Sequence, residues 1–300
     1  MNIIDFKGQI AALLGAFLWA TSAIVYTSIG AKIPPLTLNL WKGAIALSFI
    51  GITLIITNHQ FSPFNLTAIM GLIASGIIGI GIGDTAYFKA LNNMGARKTL
   101  LLETLAPPIT AILAFIFIGE TLKITIWIGI FITILGVAWV ISERNAETSS
   151  QSSSTKIGLF WALIGVLSQG MGAVIARSVL STTNITALES TLIRLIGGTI
   201  ILLLIMTWQR QPLFSGKFYQ ILSPKLALII IITAFMSTYL GIWLQQTAFK
   251  FAPAGIAQTL LATSPLFVLP LVAFLGEKIS YRSILGAMIA LIGVFILFLS

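Results

Sequence analysis

Residues Gly79–Glu120 read GIGIGDTAYFKALNNMGARKTLLLETLAPPITAILAFIFIGE. Two apolar helices are legible here, joined by a short Asn/Gly turn. The first carries Asp84 and Lys89. The second carries Glu103 and the pair Pro107-Pro108, and it stops at Gly119-Glu120. The same plan returns 157 residues later: Pro108 falls on Pro265, Gly119 on Gly276, Glu120 on Glu277, Gly129 on Gly286 and Gly136 on Gly293. Five coincidences at one offset describe a duplication. The chain is therefore read as two copies of one unit, and function is sought where the copies differ.

Composition sets the solvent. The chain has 300 residues, of which 57% are hydrophobic and 8% charged, and a mean hydropathy of +1.03. Too little polar surface is available to cover such a chain in water. Apolar segments of about 20 residues recur along it, each long enough to cross ~30 Å of hydrocarbon. Helices satisfy their own backbone hydrogen bonds, so a helical bundle is the expected form in lipid. The net charge of +9 would point to nucleic acid in a soluble protein. In this chain it reads as basic loops at a membrane surface, with no nucleic-acid partner. The chain has no cysteine, which excludes disulfides, thiolate catalysis and cysteine metal sites. The first segment is too long for a signal-peptide core and lacks a clear cleavage site, so it is expected to remain as a span.

Ten spans are predicted, at about 8–29, 35–57, 67–90, 97–118, 123–141, 157–179, 186–208, 225–250, 254–275 and 280–299. The polar stretch SERNAETSSQSSSTK, residues 142–156, is a solvated linker between a first unit, 1–141, and a second, 157–300. Five spans per unit force the units into opposite orientations, the inverted-repeat plan of many secondary transporters. The expected fold is an all-α integral membrane protein with two inverted five-helix repeats around a central cavity. The first spans also correspond, with Gly15 on Gly165, and in the second spans Lys42 falls near Arg194. Small residues recur at every fourth position of the third span, at Gly71, Ser75, Gly79 and Gly83, a ridge that permits close helix approach. Gly129, Gly136, Gly286 and Gly293 are read in the same way. Ten loop lysines and arginines lie on the odd-numbered loops, against four on the side of the termini. By the positive-inside rule the odd loops face the cytoplasm.

Three sequence patterns recur in order: A-L-x3-G-A before a span, (L/T)-x-P within it and G-E-x-(L/I) at its end. They stand as ALNNMGA, LAPP and GETL in the first copy and as AFKFAPA, TSP and GEKI in the second. With the opening LLGAFLWATSAIV, they resemble the EamA family of the drug/metabolite transporter superfamily over essentially the whole chain. The resemblance implies ten spans in two inverted repeats, a central cavity, and transport of small metabolites, usually outward, across the cell membrane. It also implies termini in the cytoplasm, opposite to the loop-charge count.

Ionisable groups within spans are costly and point to function. Of eight acids, only Asp84 and Glu103 lie well within spans. Each is about six residues from the odd-loop end of its helix, or ~9 Å deep. Lys42 and Lys89 enter from the same side, so these four groups can share one layer. They are read either as a buried salt-bridge network or as a coupling site in which one acid exchanges a proton with substrate. Neither acid is mirrored: Leu260 and Gly241 stand at the equivalent positions. Arg194 has two readings, as a partner of Glu189 or as a bidentate ligand for a substrate carboxylate. Trp19, Trp41, Tyr87, Gln169, Tyr239, Trp243 and Gln246 are candidates for the cavity wall. Pro107, Pro108 and Pro265 are candidate hinges, because proline frees a backbone carbonyl. No cofactor or metal is expected; small-molecule substrate, protons and the lipid bilayer are the expected partners.

Rival functions fit less well. Gly81-Ile82-Gly83-Asp84 resembles the GxGD string of intramembrane aspartyl proteases. That chemistry needs a second aspartate, and the only other one is Asp5 in the tail. The single histidine, His59, has no ligand set beside it in sequence, and no Walker loop is present. No enzyme is expected. The alternative to a transporter is a non-transporting membrane scaffold or sensor.

Overall fold

The computed structural model describes residues 6–29, 33–63, 65–143, 155–210, 223–274 and 280–299. Ten helical segments among them are long and apolar enough to cross a bilayer. Spans 1 to 5 are Lys7–Tyr26, Leu36–Ile56, Leu66–Met94, Lys98–Ile118 and Ile124–Ser142. Spans 6 to 10 are Lys156–Thr182, Ala187–Trp208, Pro224–Phe251, Ala254–Leu271 and Tyr281–Leu299. No strand occurs among the described residues. The expected equivalence of Glu120 with Glu277 falls partly outside them.

Local chemistry starts the helices where the sequence changes character. Span 2 opens with proline in its first turn, where a missing N–H costs nothing. Asn65 accepts a hydrogen bond from the Ala68 N–H at the head of span 3. Thr186 and Glu189 form a reciprocal capping box at the head of span 7.

The turn between spans 3 and 4 is not coil. Helical hydrogen bonding runs unbroken over Asp84–Glu103, yet the chain doubles back. Tyr87 N and Glu103 Oε1 both lie 3.5 Å from the point a Cβ on Gly165 would occupy. In a straight helix these residues would be ~24 Å apart. In the second copy the matching turn is a real break, with Ala252 extended and Pro253 ahead of helix Ala254–Leu261. Proline forces the preceding residue out of helical geometry, and Ala96 stands at its place in the first copy.

Each copy carries a π-helical segment at the same place, Ile77–Gly83 in span 3 and Phe235–Leu240 in span 8. The Asp84 N–H therefore bonds to Gly79 O, five residues back. The Gly241 N–H likewise bonds to Met236 O. The skipped carbonyls, Ile80 and Ser237, need other donors. Asn39 Nδ2 supplies one at 3.3 Å and Trp19 Nε1 the other at 2.9 Å.

The candidate hinge prolines do not kink a continuous helix. Spans 4 and 9 are interrupted at Thr104-Leu105 and at Ala262-Thr263. Pro107, Pro108 and Pro265 lie in the first turn of the following helices, Ala106–Ile118 and Ser264–Phe274. Pro270 lies inside helix Ser264–Phe274.

The small-residue ridge packs span 3 antiparallel to span 6. Gly71 faces Val179, Ser75 Oγ donates to Gly172 O at 2.6 Å, and Gly83 faces Ser168. The other flank of span 3 meets span 7: a Cβ on Gly76 would lie 2.0 Å from Arg194 O. Span 8 sits against spans 1 and 2 in the same manner, with Gly15 against Gly241. Thus span 3 of the first half lies between spans of the second, and span 8 of the second between spans of the first. Spans 5 and 10 cross through glycine, Gly129 on Gly293 and Gly136 on Gly286, so they run antiparallel. Long side chains such as Phe115, Phe131, Leu135 and Leu291 point outward, as lipid contact requires.

Candidate substrate site

The π turn of span 3 ends on Asp84 and aims it at span 6. Gln169 Nε2 donates to Asp84 Oδ1 at 3.0 Å. Both side chains are half-buried. Two cations act on the Asp84 charge, Lys42 from span 2 and Arg194 from span 7. Neither touches it: the ion pairs closer than 4.0 Å among the described residues are His59–Glu189 and Arg177–Glu120. Glu103 lies beside the same turn, its Oε1 sharing the neighbourhood of Gly165 with Gly83 O and Tyr87 N. That Oε1 is buried without a hydrogen-bond partner. Tyr87 is within electrostatic reach of both acids.

The expected layer of four charged groups is therefore partly assembled. Lys42, Glu103 and Arg194 lie within electrostatic reach of Asp84, and none of the three forms an ion pair with another among the described residues. Lys89 turns aside, with its ammonium 3.9 Å from the ring centroid of Trp161. Lys42 Nζ lies over Tyr26 at 4.9 Å and Phe88 at 5.5 Å. Such cation–π contacts keep a buried ammonium in favourable surroundings.

The alternative partner for Arg194 is taken elsewhere. Glu189 accepts from Ser62 N at 2.6 Å, Ser62 Oγ at 2.8 Å and Thr186 N at 2.6 Å, and His59 Nε2 lies 3.4 Å from it. Arg194 is only 2% exposed, and its Nε and Nη1 have no hydrogen-bond partner.

The remaining wall candidates separate into two groups. Trp19 and Gln169 occupy equivalent places on spans 1 and 6, 150 residues apart. Trp19 covers Gly241, its Nε1 2.6 Å from where a Cβ there would sit, while Gln169 meets Asp84. Tyr239, Trp243, Gln246 and Trp41 are built into packing. The Tyr239 hydroxyl meets Thr53 Oγ1 at 2.6 Å, and its ring lies among Phe49, Phe235 and Trp243. Gln246 accepts from Ser190 Oγ at 3.0 Å. Trp41 packs against Ile33, Leu38 and Ile230. Sequence reading passed over Asn39, Tyr26 and Phe88: Asn39 lies one turn from Lys42, the Tyr26 hydroxyl meets Ser237 in the π turn of span 8, and Phe88 lies one turn from Asp84.

A second polar cluster lies at the even-loop end of the bundle. Gly119 takes a left-handed conformation, φ 68°, which ends span 4 and turns Glu120 inward. Glu120 Oε1 pairs with Arg177 Nε at 2.6 Å, and Oε2 accepts from Ala254 N at 2.9 Å. Arg177 Nη1 donates to Phe249 O and Lys250 O, each at 2.9 Å. Lys250 Nζ donates to Ile185 O. Together with Glu189 and Ser62, these bonds tie the two halves at that end.

Ten helices long and apolar enough to cross a bilayer, among the described residues, make this a multi-pass integral membrane protein. The profile of the EamA-like transporter family matches residues 6–142 and again 156–299. The chain belongs to that family and is a transporter of the cell membrane. An uncharacterized transporter of Archaeoglobus fulgidus is 23% identical over 96% of both chains. The uncharacterized transporter YyaM of Bacillus subtilis is 26% identical over 85% of this chain and 81% of its own. Protein LicB of Haemophilus influenzae is 26% identical over 67% of each. A solved crystal structure superposes with a TM-score of 0.78 at 15% identity, over 97% of this chain and 96% of that one, which shows a shared fold.

Proposed function

We propose that the chain is a secondary-active exporter of small polar or amphipathic metabolites such as amino acids, and that it works by alternating access. The observation that carries this reading is the Gln169–Asp84 hydrogen bond between the halves, with Lys42, Glu103 and Arg194 around it. A rocking motion of units 1–141 and 157–300 must remake that contact, so substrate binding and motion are linked there. The exchanged packing of spans 3 and 8, the matched π turns and the antiparallel glycine crossing of spans 5 and 10 all suit an inverted repeat about a central cleft. In that scheme the Glu120–Arg177 and Glu189–Ser62 ties hold the even-loop end shut, and substrate enters the cleft from the odd-loop side. Glu103, whose Oε1 has no protein partner, is the acid that exchanges a proton, and Asp84 balances charge.

Efflux from reconstituted vesicles, measured against a panel of amino acids, sugars and nucleosides with and without a pH gradient, tests this. The expected result is efflux of one class that responds to the gradient and is lost in Glu103→Gln. Transport indifferent to the gradient, and unchanged in Glu103→Gln and Asp84→Asn, removes proton coupling. A chain that moves nothing is a scaffold or sensor.

A further inference from the structure

We infer that Arg194 is the fixed internal counter-cation of Asp84, not a ligand for substrate, and that the cation a substrate anion meets in the cleft is Lys42. This rests on the transporter reading of the same site. The backbone of span 7 at Arg194 is pressed against Gly76, where a Cβ would lie 2.0 Å from Arg194 O and 2.7 Å from its Cα. The guanidinium runs along the π turn: Nη2 lies 3.1 Å from the Cβ position of Gly79, and Gly79 O receives the Asp84 N–H. The Arg194 guanidinium thus lies one wide turn along span 3 from Asp84, buried at 2% exposure and not in an ion pair closer than 4.0 Å among the described residues. Its Nε and Nη1 have no hydrogen-bond partner. Glu189, the acid of span 7 itself, is engaged by Ser62 and Thr186. A buried guanidinium without a counter-charge is strongly unfavourable, and Asp84 is the acid that acts on it. The two form a neutral unit spanning both halves, with Gln169 completing the Asp84 side. Lys42, which also acts on the Asp84 charge, is in contrast half-buried and lies over the rings of Tyr26 and Phe88. An incoming carboxylate can draw it off those rings while Arg194 still faces Asp84.

The test is a double-mutant cycle on the full chain. Wild type, Asp84→Asn, Arg194→Gln and the double variant are purified in detergent, and their melting midpoints are read by size-exclusion chromatography. Each single change is expected to lower the midpoint by several degrees, and the double variant to regain at least half of the larger loss. Arg194→Lys, which keeps the charge, stays close to wild type. Losses that simply add overturn the assignment. In vesicles the probes are radiolabelled glutamate, alanine and lysine. Arg194→Gln is expected to lower the maximal rate with KM unchanged, and Lys42→Gln to raise KM several-fold. A KM raised by Arg194→Gln places that residue against substrate and overturns the inference. If wild type moves none of the three, the transport reading for those substrates fails, while the melting cycle still upholds or overturns the pair.

Discussion

Gln169 Nε2 donates to Asp84 Oδ1 at 3.0 Å, and the counterpart of this contact in the other copy is Trp19 against Gly241. The same two backbone positions thus hold a polar pair in one place and an indole filling the space over a glycine in the other. An indole packs over Gly241 in one place, and a hydrogen bond joins two shorter polar side chains in the other. This exchange of residue types on a repeated backbone, with Glu103 in place of Leu260, makes the site asymmetric.

Gln169→Leu keeps the volume of the side chain and removes its donor. Asp84 Oδ1 then loses its hydrogen-bond partner in a low-dielectric setting, at a cost of about 1–3 kcal/mol. The expected outcome is a lower melting midpoint with an intact elution profile, and efflux reduced at least tenfold. Efflux equal to wild type would separate the Gln169–Asp84 contact from transport.

Two glycines of similar appearance should behave in opposite ways. A Cβ at Gly76 would meet the Arg194 backbone at 2.0 Å, whereas nothing lies within 4 Å of one at Gly51. Gly76→Ala must push spans 3 and 7 apart, and a loss of about 3 kcal/mol or total failure to accumulate is expected, the upper end for overpacking. Gly51→Ala should gain roughly 0.5–1 kcal/mol from lower chain entropy. Thermal melting of both variants in detergent decides this.

The crossing of spans 5 and 10 predicts a third contrast. At Gly136 a Cβ would come within 2.3 Å of Ala290 N and 2.6 Å of Gly286 O, so Gly136→Val should prevent the helices from closing. The neighbouring Leu135 is 65% exposed, and Leu135→Ala should leave folding unchanged. Yield of monodisperse protein from membranes reads the difference.

The even-loop tie is open to labelling, because the chain has no cysteine and an introduced one is unique. Ala252 is 1% exposed beside the Glu120–Arg177 cluster. In Ala252→Cys a membrane-impermeant maleimide should react slowly. Adding Glu120→Gln removes the ion pair, worth about 1 kcal/mol for a partly exposed pair, and the Ala254 contact weakens with it. Labelling from the side of the termini should quicken about tenfold. Equal rates would mean that Glu120 does not hold that end closed.

The sequence placed Asp84 and Glu103 at one depth, since depth follows from counting residues along a helix of fixed rise. The neighbours of each charge were beyond it. Arg194 had two open readings until Glu189 was found bonded to Ser62 and Thr186. Tyr239 and Gln246 looked like cavity wall because polar and aromatic side chains in apolar helices suit one. Their polar atoms are instead taken up by Thr53 and Ser190. The π turns left no readable mark, because Gly79, Gly81 and Gly83 suit close packing as well as a wide turn.

The sequence by itself determined the ten spans, the duplication and the pair of unmatched acids. These rest on segment length, hydropathy and residue spacing, which are local properties of the chain. Only the tertiary structure decided which helix faces which, and so which charge meets which partner. Trp19 reaches Ser237 across 218 residues, Gln169 reaches Asp84 across 85, and Arg177 reaches Glu120 across 57. Contacts at such separations depend on helix packing and on one extra residue in a turn, and neither is set by the residues that make the contact.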